Sequence, residues 1–307
     1  MKGFLKNTWK RRAYVVLALP AFLIMLLFAY VPMFGLIIAF KRFNYVDGIF
    51  KSPWNFPENF KLLVTSSKTF LNITKNTLMY YLIFTLIGTT LNIILAISID
   101  QFVFKKAGRV MQTIMIIPIF ISYAAVQFIV YAFLSSDTGL LNTEILPFFG
   151  VSKPIKFYTN ADYWPYILSV VNFWHGVGYG SVLYMSVLAG IDQELYEAAK
   201  IDGANKWQQI WNITIPMLIP MITVMLLLSV GGIMRSDTGL FYTVTRNNGL
   251  LHPTTQTIDA FVLNALLNNP NYGFTGATTF YQSVVGLIMM LVANGVVRKI
   301  APENALF

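Results

Sequence analysis

Long apolar runs alternate with short polar segments along most of this chain of 307 residues. Each run approaches the roughly 20 residues that an α-helix needs to cross a bilayer. The first run exceeds the apolar core of about 7–15 residues in a signal peptide, so we interpret it as a retained helix. The pattern predicts an all-α integral membrane protein with six transmembrane helices, at about 13–40, 77–99, 110–133, 164–189, 216–234 and 279–299.

The polar segments predict which side of the membrane each connection occupies. Short segments beside the apolar runs are rich in lysine and arginine, as at the N-terminus and in residues 100–109. Such segments favour the cytoplasm, whereas long loops carry little weight. We therefore predict a cytoplasmic N-terminal tail 1–12, a first span 13–40, an extracytoplasmic loop 41–75, a core 76–300 that holds the other five spans and a cytoplasmic loop 190–215, and a cytoplasmic C-terminal tail 301–307.

The amino-acid composition supports an integral membrane protein. The chain is 56% hydrophobic and 11% charged, whereas soluble domains carry about 25% charged residues. It contains no cysteine, which excludes disulfides and thiolate metal sites. The formal net charge of +9 comes from lysine and arginine beside apolar runs, which is the pattern of membrane anchoring and not of nucleic-acid binding.

Motifs for catalysis are missing from the sequence. The two histidines, His175 and His252, do not have metal-ligand spacing. No Gly-x-x-x-x-Gly-Lys-Ser/Thr motif is present, so we expect the chain not to hydrolyse ATP. Glycines at 176, 178 and 180 lie inside an apolar run, where they predict close helix packing. We expect no catalytic residue, no metal and no cofactor on this chain.

Polar side chains inside the apolar runs suggest a transport pathway, because each costs free energy unless it faces protein or water. Asn172, His175 and Tyr179 follow helical spacing. They could bond neighbouring helices, or they could line a polar, aromatic cavity suited to sugars. Trp174 points elsewhere on an ideal helix and joins them only if the nearby glycines distort it. The candidate pathway residues are Asn172, His175, Tyr179, Tyr123, Gln127 and Trp174.

The loop 190–215 is a polar island between two apolar runs. Residues 195–201 favour a helix, and acidic residues near its start suit the helix dipole. Gly203 follows at the usual position of a left-handed helix stop. A second short helical segment leads to Pro216, which fits the first turn of the next span because it has no N–H to satisfy there. The loop is predicted to be helix, glycine turn and helix.

The order Glu197-Ala198-Ala199, Gly203, Ile213, Ile215, Pro216 resembles the EAA loop of bacterial ABC importer permeases. Only Ile215 departs from the pattern, since the family more often has leucine there. The resemblance covers about residue 70 to the C-terminus and is nearest the carbohydrate branch, particularly oligosaccharide permeases. It implies a type I importer permease with a MetI-like fold, whose ATPase-coupling residues are Glu197, Ala198, Ala199, Asp202, Gly203, Ile213 and Pro216.

The resemblance also implies an assembly in a bacterial cell membrane. The partners would be a second homologous permease forming a heterodimer, two cytoplasmic ATPase subunits that bind ATP and Mg, and an extracytoplasmic substrate-binding lipoprotein. The substrate would be a carbohydrate, expected to be an oligosaccharide, and no nucleic acid is involved. Two alternatives are a secondary sugar transporter or channel not driven by ATP, and a membrane-embedded glycan enzyme. The first would tend to carry intramembrane charges, and the second would need a carboxylate pair or a metal motif.

Overall fold

The structure is a computed structural model that describes residues 12–65, 67–101, 105–151, 153–268 and 270–305. These residues form helices and irregular segments, with one isolated bridge between Lys41 and Trp54. The α-helices are α1 Arg12–Met25, α2 Gly48–Lys51, α3 Glu58–Thr65, α4 Ser67–Asp100, α5 Lys105–Ile116, α6 Tyr123–Leu134, α7 Leu146–Phe148, α8 Trp164–Leu188, α9 Gln193–Ile201, α10 Lys206–Gln209, α11 Ile215–Val230, α12 His252–Thr255, α13 Ile258–Asn268 and α14 Tyr272–Ile300. The all-α prediction is confirmed.

Tighter and wider helical turns link these elements. The π-helical segments are Leu26–Tyr30, Leu141–Ile145, Ile210–Thr214 and Gly239–Val244. The 3₁₀ segments are Val31–Phe40, Ile117–Phe120, Phe157–Thr159, Ala161–Tyr163, Gly249–Leu251 and Pro302–Asn304. Most of the N-terminal tail, together with the last two residues of the chain, lies outside the described residues.

Within the described part of the chain, four helical runs are long and apolar enough to cross a membrane: Val16–Phe40, Lys68–Asp100, Lys206–Val230 and Tyr272–Ile300. A fifth crossing results if the bent pair α5 and α6 counts as one span. Helix α8 is 25 residues long but is not among these apolar runs. Six spans therefore stay a prediction.

The predicted third span, 110–133, is wrong as one continuous helix. The run Lys106–Phe120, which ends in the 3₁₀ turn Ile117–Phe120, meets α6 at an angle of 99°. Pro118 lacks the N–H that would continue the helix. Ser122 then begins α6, because its side chain accepts a hydrogen bond from the Ala125 N–H at 3.4 Å.

Three other helical runs start earlier than the predicted spans. Helix α4 begins at Ser67, well before residue 77, and α14 begins at Tyr272. Pro216 lies in the first turn of α11, as predicted, although α10 and a π turn extend the same helical run back to Lys206. The π turn Ile210–Thr214 comes directly before Pro216, where the proline cannot donate to the carbonyl four residues back.

As far as the chain is described, it divides into two compact units, Met1–Ser66 with Pro270–Tyr281 and Ser67–Asn269 with Gln282–Phe307. In the first unit, Asn59 donates hydrogen bonds from its amide to the carbonyls of Ala39 and Lys41, at 2.9 and 3.0 Å. Gly276 lies against the same segment, since a Cβ there would stand 3.1 Å from the Ala39 nitrogen. Aromatic rings pack around this contact, namely Phe40, Phe56, Phe60 and Phe280.

The second unit contains two apolar clusters. The larger gathers α4, α6, α8 and the π segment Gly239–Val244 around Trp164, whose indole N–H donates to the Phe157 carbonyl at 2.8 Å. The smaller packs α4 against α8 and α11. Glycines allow the close approach predicted for α8: a Cβ at Gly178 would overlap the Met115 carbonyl, and one at Gly180 would fall 2.5 Å from the Asn92 amide.

Candidate coupling segment and transport pathway

We use the name coupling segment for residues 192–214, which make up most of the predicted ATPase-coupling loop and begin with a capped helix. Asp192 has extended backbone angles, and its carboxylate accepts the Glu194 N–H at 3.0 Å. The helix α9 follows with acidic Glu194 in its first turn and Lys200 in its last, as the helix dipole favours. The Asp192 cap and the acidic first turn therefore define where this helix starts.

The end of α9 is a Schellman motif centred on Gly203. Its φ is +82°. The Gly203 N–H donates to the Lys200 carbonyl at 3.1 Å, and the Ala204 N–H donates to the Ala199 carbonyl at 2.9 Å. These are the two bonds that define the motif. The predicted left-handed stop at Gly203 is confirmed.

A capping box starts the next helix. The Asn205 side chain accepts the Gln208 N–H at 3.0 Å, and the Gln208 side chain accepts the Asn205 N–H at 2.8 Å. Gln209, which is buried, donates to the Ala204 carbonyl at 3.0 Å. These capping residues are not among the predicted coupling residues, although asparagine followed three residues later by glutamine is the signature of such a box.

One hydrogen bond between side chains ties α9 to the helical run that contains α11. The Tyr196 hydroxyl lies 2.9 Å from the Thr214 hydroxyl. Thr214 is buried. The two residues are 18 positions apart, so no local pattern predicts their contact. With the caps on both sides, this bond makes residues 192–214 a braced element.

The surface of the coupling segment carries exposed apolar side chains on a polar loop. Ile201 is 87% exposed, and Trp207 and Trp211 are also exposed. Isolated apolar residues are common on surfaces, but several on one loop are typical of a binding surface. Of the residues predicted to couple, Ala199 and Ile213 are half-buried, and the exposed ones are Glu197, Ala198, Asp202, Gly203 and Pro216.

His175 links α8 to the break before α6. It is 7% exposed, and its Nε2 lies 2.9 Å from the Ile121 carbonyl oxygen. Its ring stacks on Tyr123, with centroids 4.5 Å apart. Tyr123 is held in turn by Gly239, where a Cβ would fall 2.3 Å from the tyrosine ring. This geometry matches the first of the two alternatives for His175, in which the side chain bonds neighbouring helical segments.

The structure does not bring all of the other candidate pathway residues together. Asn172 and Gln127 are half-buried, whereas Tyr179 is 59% exposed. Helix α8 stays α-helical along its glycines, so the distortion required to bring in Trp174 is absent there. Trp174 instead lines an apolar cavity of about 580 Å³ formed by residues of α6 and α8. Among the described residues, no group of three or more histidine or acidic side chains could hold a metal ion.

Comparison with known proteins defines the class. Residues 88–302 match the family described as binding-protein-dependent transport system inner membrane component, and the chain belongs to that family. This match spans most of the chain, including the coupling segment and α8. It shows that the chain is a membrane-embedded transport subunit and not an enzyme, which excludes the glycan-enzyme alternative.

Individual relatives extend the similarity to nearly the full length. The polygalacturonan/rhamnogalacturonan transport system permease protein YteP of Bacillus subtilis (strain 168) is 32% identical over 305 residues, covering 99% of this chain and 93% of that protein. A crystal structure of a bacterial ABC transporter involved in the import of the acidic polysaccharide alginate matches with a TM-score of 0.86 at 30% identity, covering 97% of this chain and 99% of that chain.

A further crystal structure, of a bacterial alginate ABC transporter in complex with an alginate pentasaccharide-bound periplasmic protein, matches with a TM-score of 0.84 at 30% identity. It covers 98% of each chain. These matches confirm the MetI-like fold. They also confirm that the protein is a permease subunit of an ABC importer.

Proposed function

We propose that this chain forms half of the translocation pathway for oligosaccharides of an acidic, uronate-containing polysaccharide. The similarity to YteP and to the alginate importer over nearly the whole chain supports this substrate class, because polygalacturonan and alginate are both acidic polysaccharides. The observation that carries the transport mechanism is the braced, exposed coupling segment within a chain of this family.

Membership of this family supports the assembly proposed here. The chain pairs with a second, homologous permease as a heterodimer. Two cytoplasmic ATPase subunits bind ATP and Mg, and an extracytoplasmic lipoprotein delivers the sugar. Both termini of the chain and the coupling segment face the cytoplasm of a bacterial cell, which the basic short segments favour. The periplasmic protein bound to the related alginate importer supports a delivery partner of this kind.

Coupling proceeds through residues 192–214 in this proposal. Closure of the ATPase pair presses on α9 through Glu197, Ala198 and the exposed Ile201. The Tyr196–Thr214 bond passes that displacement to α11, because a braced element moves as a body. The two states of the importer then differ in their contacts with ATP and with the loaded binding protein, as any ligand-driven transition requires. The full set of coupling residues is Glu197, Ala198, Ala199, Asp202, Gly203, Ile213 and Pro216.

The sugar pathway is proposed to run along α8. Asn172 and Tyr179 offer an amide and a phenol to sugar hydroxyls, with Gln127 on α6 as a further contact. Tyr179 is largely uncovered by the described residues, which suits contact with substrate or with the second permease. His175 and Tyr123 hold the shape of this wall, whereas Trp174 lies outside it, in the apolar cavity between α6 and α8.

Uptake by the complete importer in proteoliposomes tests the proposal. We expect trigalacturonate to accumulate only with ATP inside and the loaded binding protein outside. The double variant Glu197→Lys, Gly203→Val should insert normally but lose stimulated ATPase activity and uptake. Accumulation driven by a sodium or proton gradient without ATP would instead indicate the secondary-transporter alternative.

A further inference from the structure

A second polar site lies away from the stripe on α8. The second unit contains a polar cavity of about 410 Å³ between the end of α6, the segment before α8 and the segment after Gly239–Val244. This volume falls within the range of about 300–1,000 Å³ typical of small-molecule sites. Its walls include Tyr131, Ser135, Asp137, Tyr158, Arg246 and Asn248. In the proposed orientation, this cavity is on the extracytoplasmic side.

The Arg246 guanidinium is positioned but not neutralised. It lies over the Tyr131 ring, 4.5 Å from the ring centre. That stacking occupies the face of the guanidinium and leaves the N–H groups at its edge available. In the described part of the chain, no carboxylate lies within ion-pair distance of Arg246. Asp137 lines the same cavity beyond that distance. A planar, stacked guanidinium with free edges is suited to bidentate binding of a carboxylate.

The Tyr158 hydroxyl is a second, independent sign of a ligand. It is buried and has no hydrogen-bond partner among the described residues. Burial raises the pKa of Tyr158 to about 12, although the Arg246 charge opposes the shift, so the phenol stays protonated at neutral pH. The Asn248 amide donates to the Tyr158 carbonyl at 2.7 Å and fixes the residue in place. A buried polar group beside a polar cavity normally bonds a water or a ligand.

The backbone at Arg246 is unusual for an arginine. Arg246 has a φ of 57° and Asn247 a φ of 46°. The Arg246 N–H donates to the Thr243 carbonyl, and the Asn247 N–H to the Tyr242 carbonyl, both at 2.9 Å. This is the geometry of a helix stop, where glycine is the favoured residue. An arginine held in a conformation that costs free energy is typical of a functional position.

We propose that this cavity binds one acidic sugar unit of the incoming oligosaccharide, with its carboxylate on Arg246 and a ring hydroxyl on Tyr158. The proposal rests on the proposed function, and it assigns a selective step to the mouth of the importer. The tyrosine rings supply apolar surface for the sugar ring. Asp137 opposes the carboxylate, so it limits affinity and favours release towards the pathway.

Uptake of trigalacturonate and of its neutral methyl ester by the complete importer, at saturating binding protein, tests the site. Losing a charge-assisted bidentate contact should raise the trigalacturonate KM about tenfold or more in Arg246→Gly. Arg246→Gly should transport the ester with the same KM as the wild type. Arg246→Lys should have an intermediate KM, and Asp137→Asn a lower one than the wild type. Arg235→Gln, an exposed arginine outside the cavity, is the matched control and should behave as the wild type.

Stability separates binding from packing, because glycine relieves the backbone strain at this position. We expect Arg246→Gly to melt at the same temperature as the wild type or higher, while it loses the acidic substrate. An equal rise in the KM for trigalacturonate and in the KM for its methyl ester would overturn the proposal. Loss of ATPase stimulation by the binding protein with either sugar would also overturn it, since the cavity would then be a docking surface for that protein.

Direct binding distinguishes failure of this site from failure of the proposed function. Saturation-transfer NMR of trigalacturonate with the purified importer in nanodiscs should give a signal that Arg246→Gly and Tyr158→Phe both weaken. If the wild type imports neither sugar but this signal is present and depends on Arg246, the function is wrong and the site stands. If the wild type imports trigalacturonate and the signal does not change in the variants, the site is wrong and the function stands.

Discussion

Replacement of Gly203 by alanine isolates the contribution of one backbone angle to coupling. Among the residues that the structure describes, no heavy atom beyond the two adjacent positions lies within 4 Å of the place where a Cβ would stand. The cost of Gly203→Ala is therefore that of the left-handed conformation alone, about 1–2 kcal/mol for a non-glycine residue. Gly295 in α14 has equally open space but lacks a left-handed φ. Gly295→Ala should be stabilising, by about 0.5–1 kcal/mol, because it lies inside a helix.

Hydrogen exchange measures this difference locally. The Schellman amides of Gly203 and Ala204 should exchange about 5- to 30-fold faster in Gly203→Ala, which is what about 1–2 kcal/mol implies. ATP hydrolysed per sugar transported should rise in the same variant, since a frayed α9 transmits less displacement. Gly295→Ala should leave both quantities unchanged. Unchanged exchange in Gly203→Ala would refute the view that this turn is held by a glycine-specific conformation.

The remaining predictions concern the brace, the pathway and the topology. Tyr196→Phe removes the hydroxyl bonded to Thr214, worth about 0.5–1.5 kcal/mol. It should lower sugar uptake per ATP hydrolysed without lowering ATPase activity, and full coupling would contradict the brace. Tyr179→Ala should weaken uptake several-fold while ATPase stimulation by the binding protein survives, and unchanged uptake would remove Tyr179 from the pathway. Because the chain has no cysteine, a single one at Leu250 should react with an impermeant reagent outside intact cells. A cysteine at Lys206 should react only after permeabilisation, and the reverse pattern would invert the topology.

Local chemistry was readable from the sequence, whereas contacts across the fold were not. Gly203 was predictable because a helix stop depends on neighbouring residues. The break between α5 and α6 was not, because a proline such as Pro118 is tolerated in many membrane helices. The contact of His175 with the Ile121 carbonyl joins residues 54 positions apart. The hydropathy pattern alone could not predict that these two residues are in contact. The helical spacing of Asn172, His175 and Tyr179, which suggested a transport pathway, is equally consistent with hydrogen bonding between helices.

The left-handed backbone at Arg246 was not predictable from the sequence for a different reason. Sequence propensities place glycine or asparagine in the left-handed region, so an arginine there carries no signal. Tyr131 and Tyr158, its neighbours in the polar cavity, lie on separate segments that only the tertiary fold brings together. Features that oppose local propensity are therefore visible only in the structure.

Photo-crosslinking from Ile201 tests the central claim most directly. Ile201 is 87% exposed at the end of α9, and Val46, 95% exposed in the predicted extracytoplasmic loop, is the matched control. With a photoreactive amino acid at each position in the assembled importer, we expect Ile201 to form an adduct with the ATPase subunit and Val46 to form none. An adduct from Val46, or none from Ile201 in a complex that hydrolyses ATP, would contradict the assignment of residues 192–214 as the coupling segment.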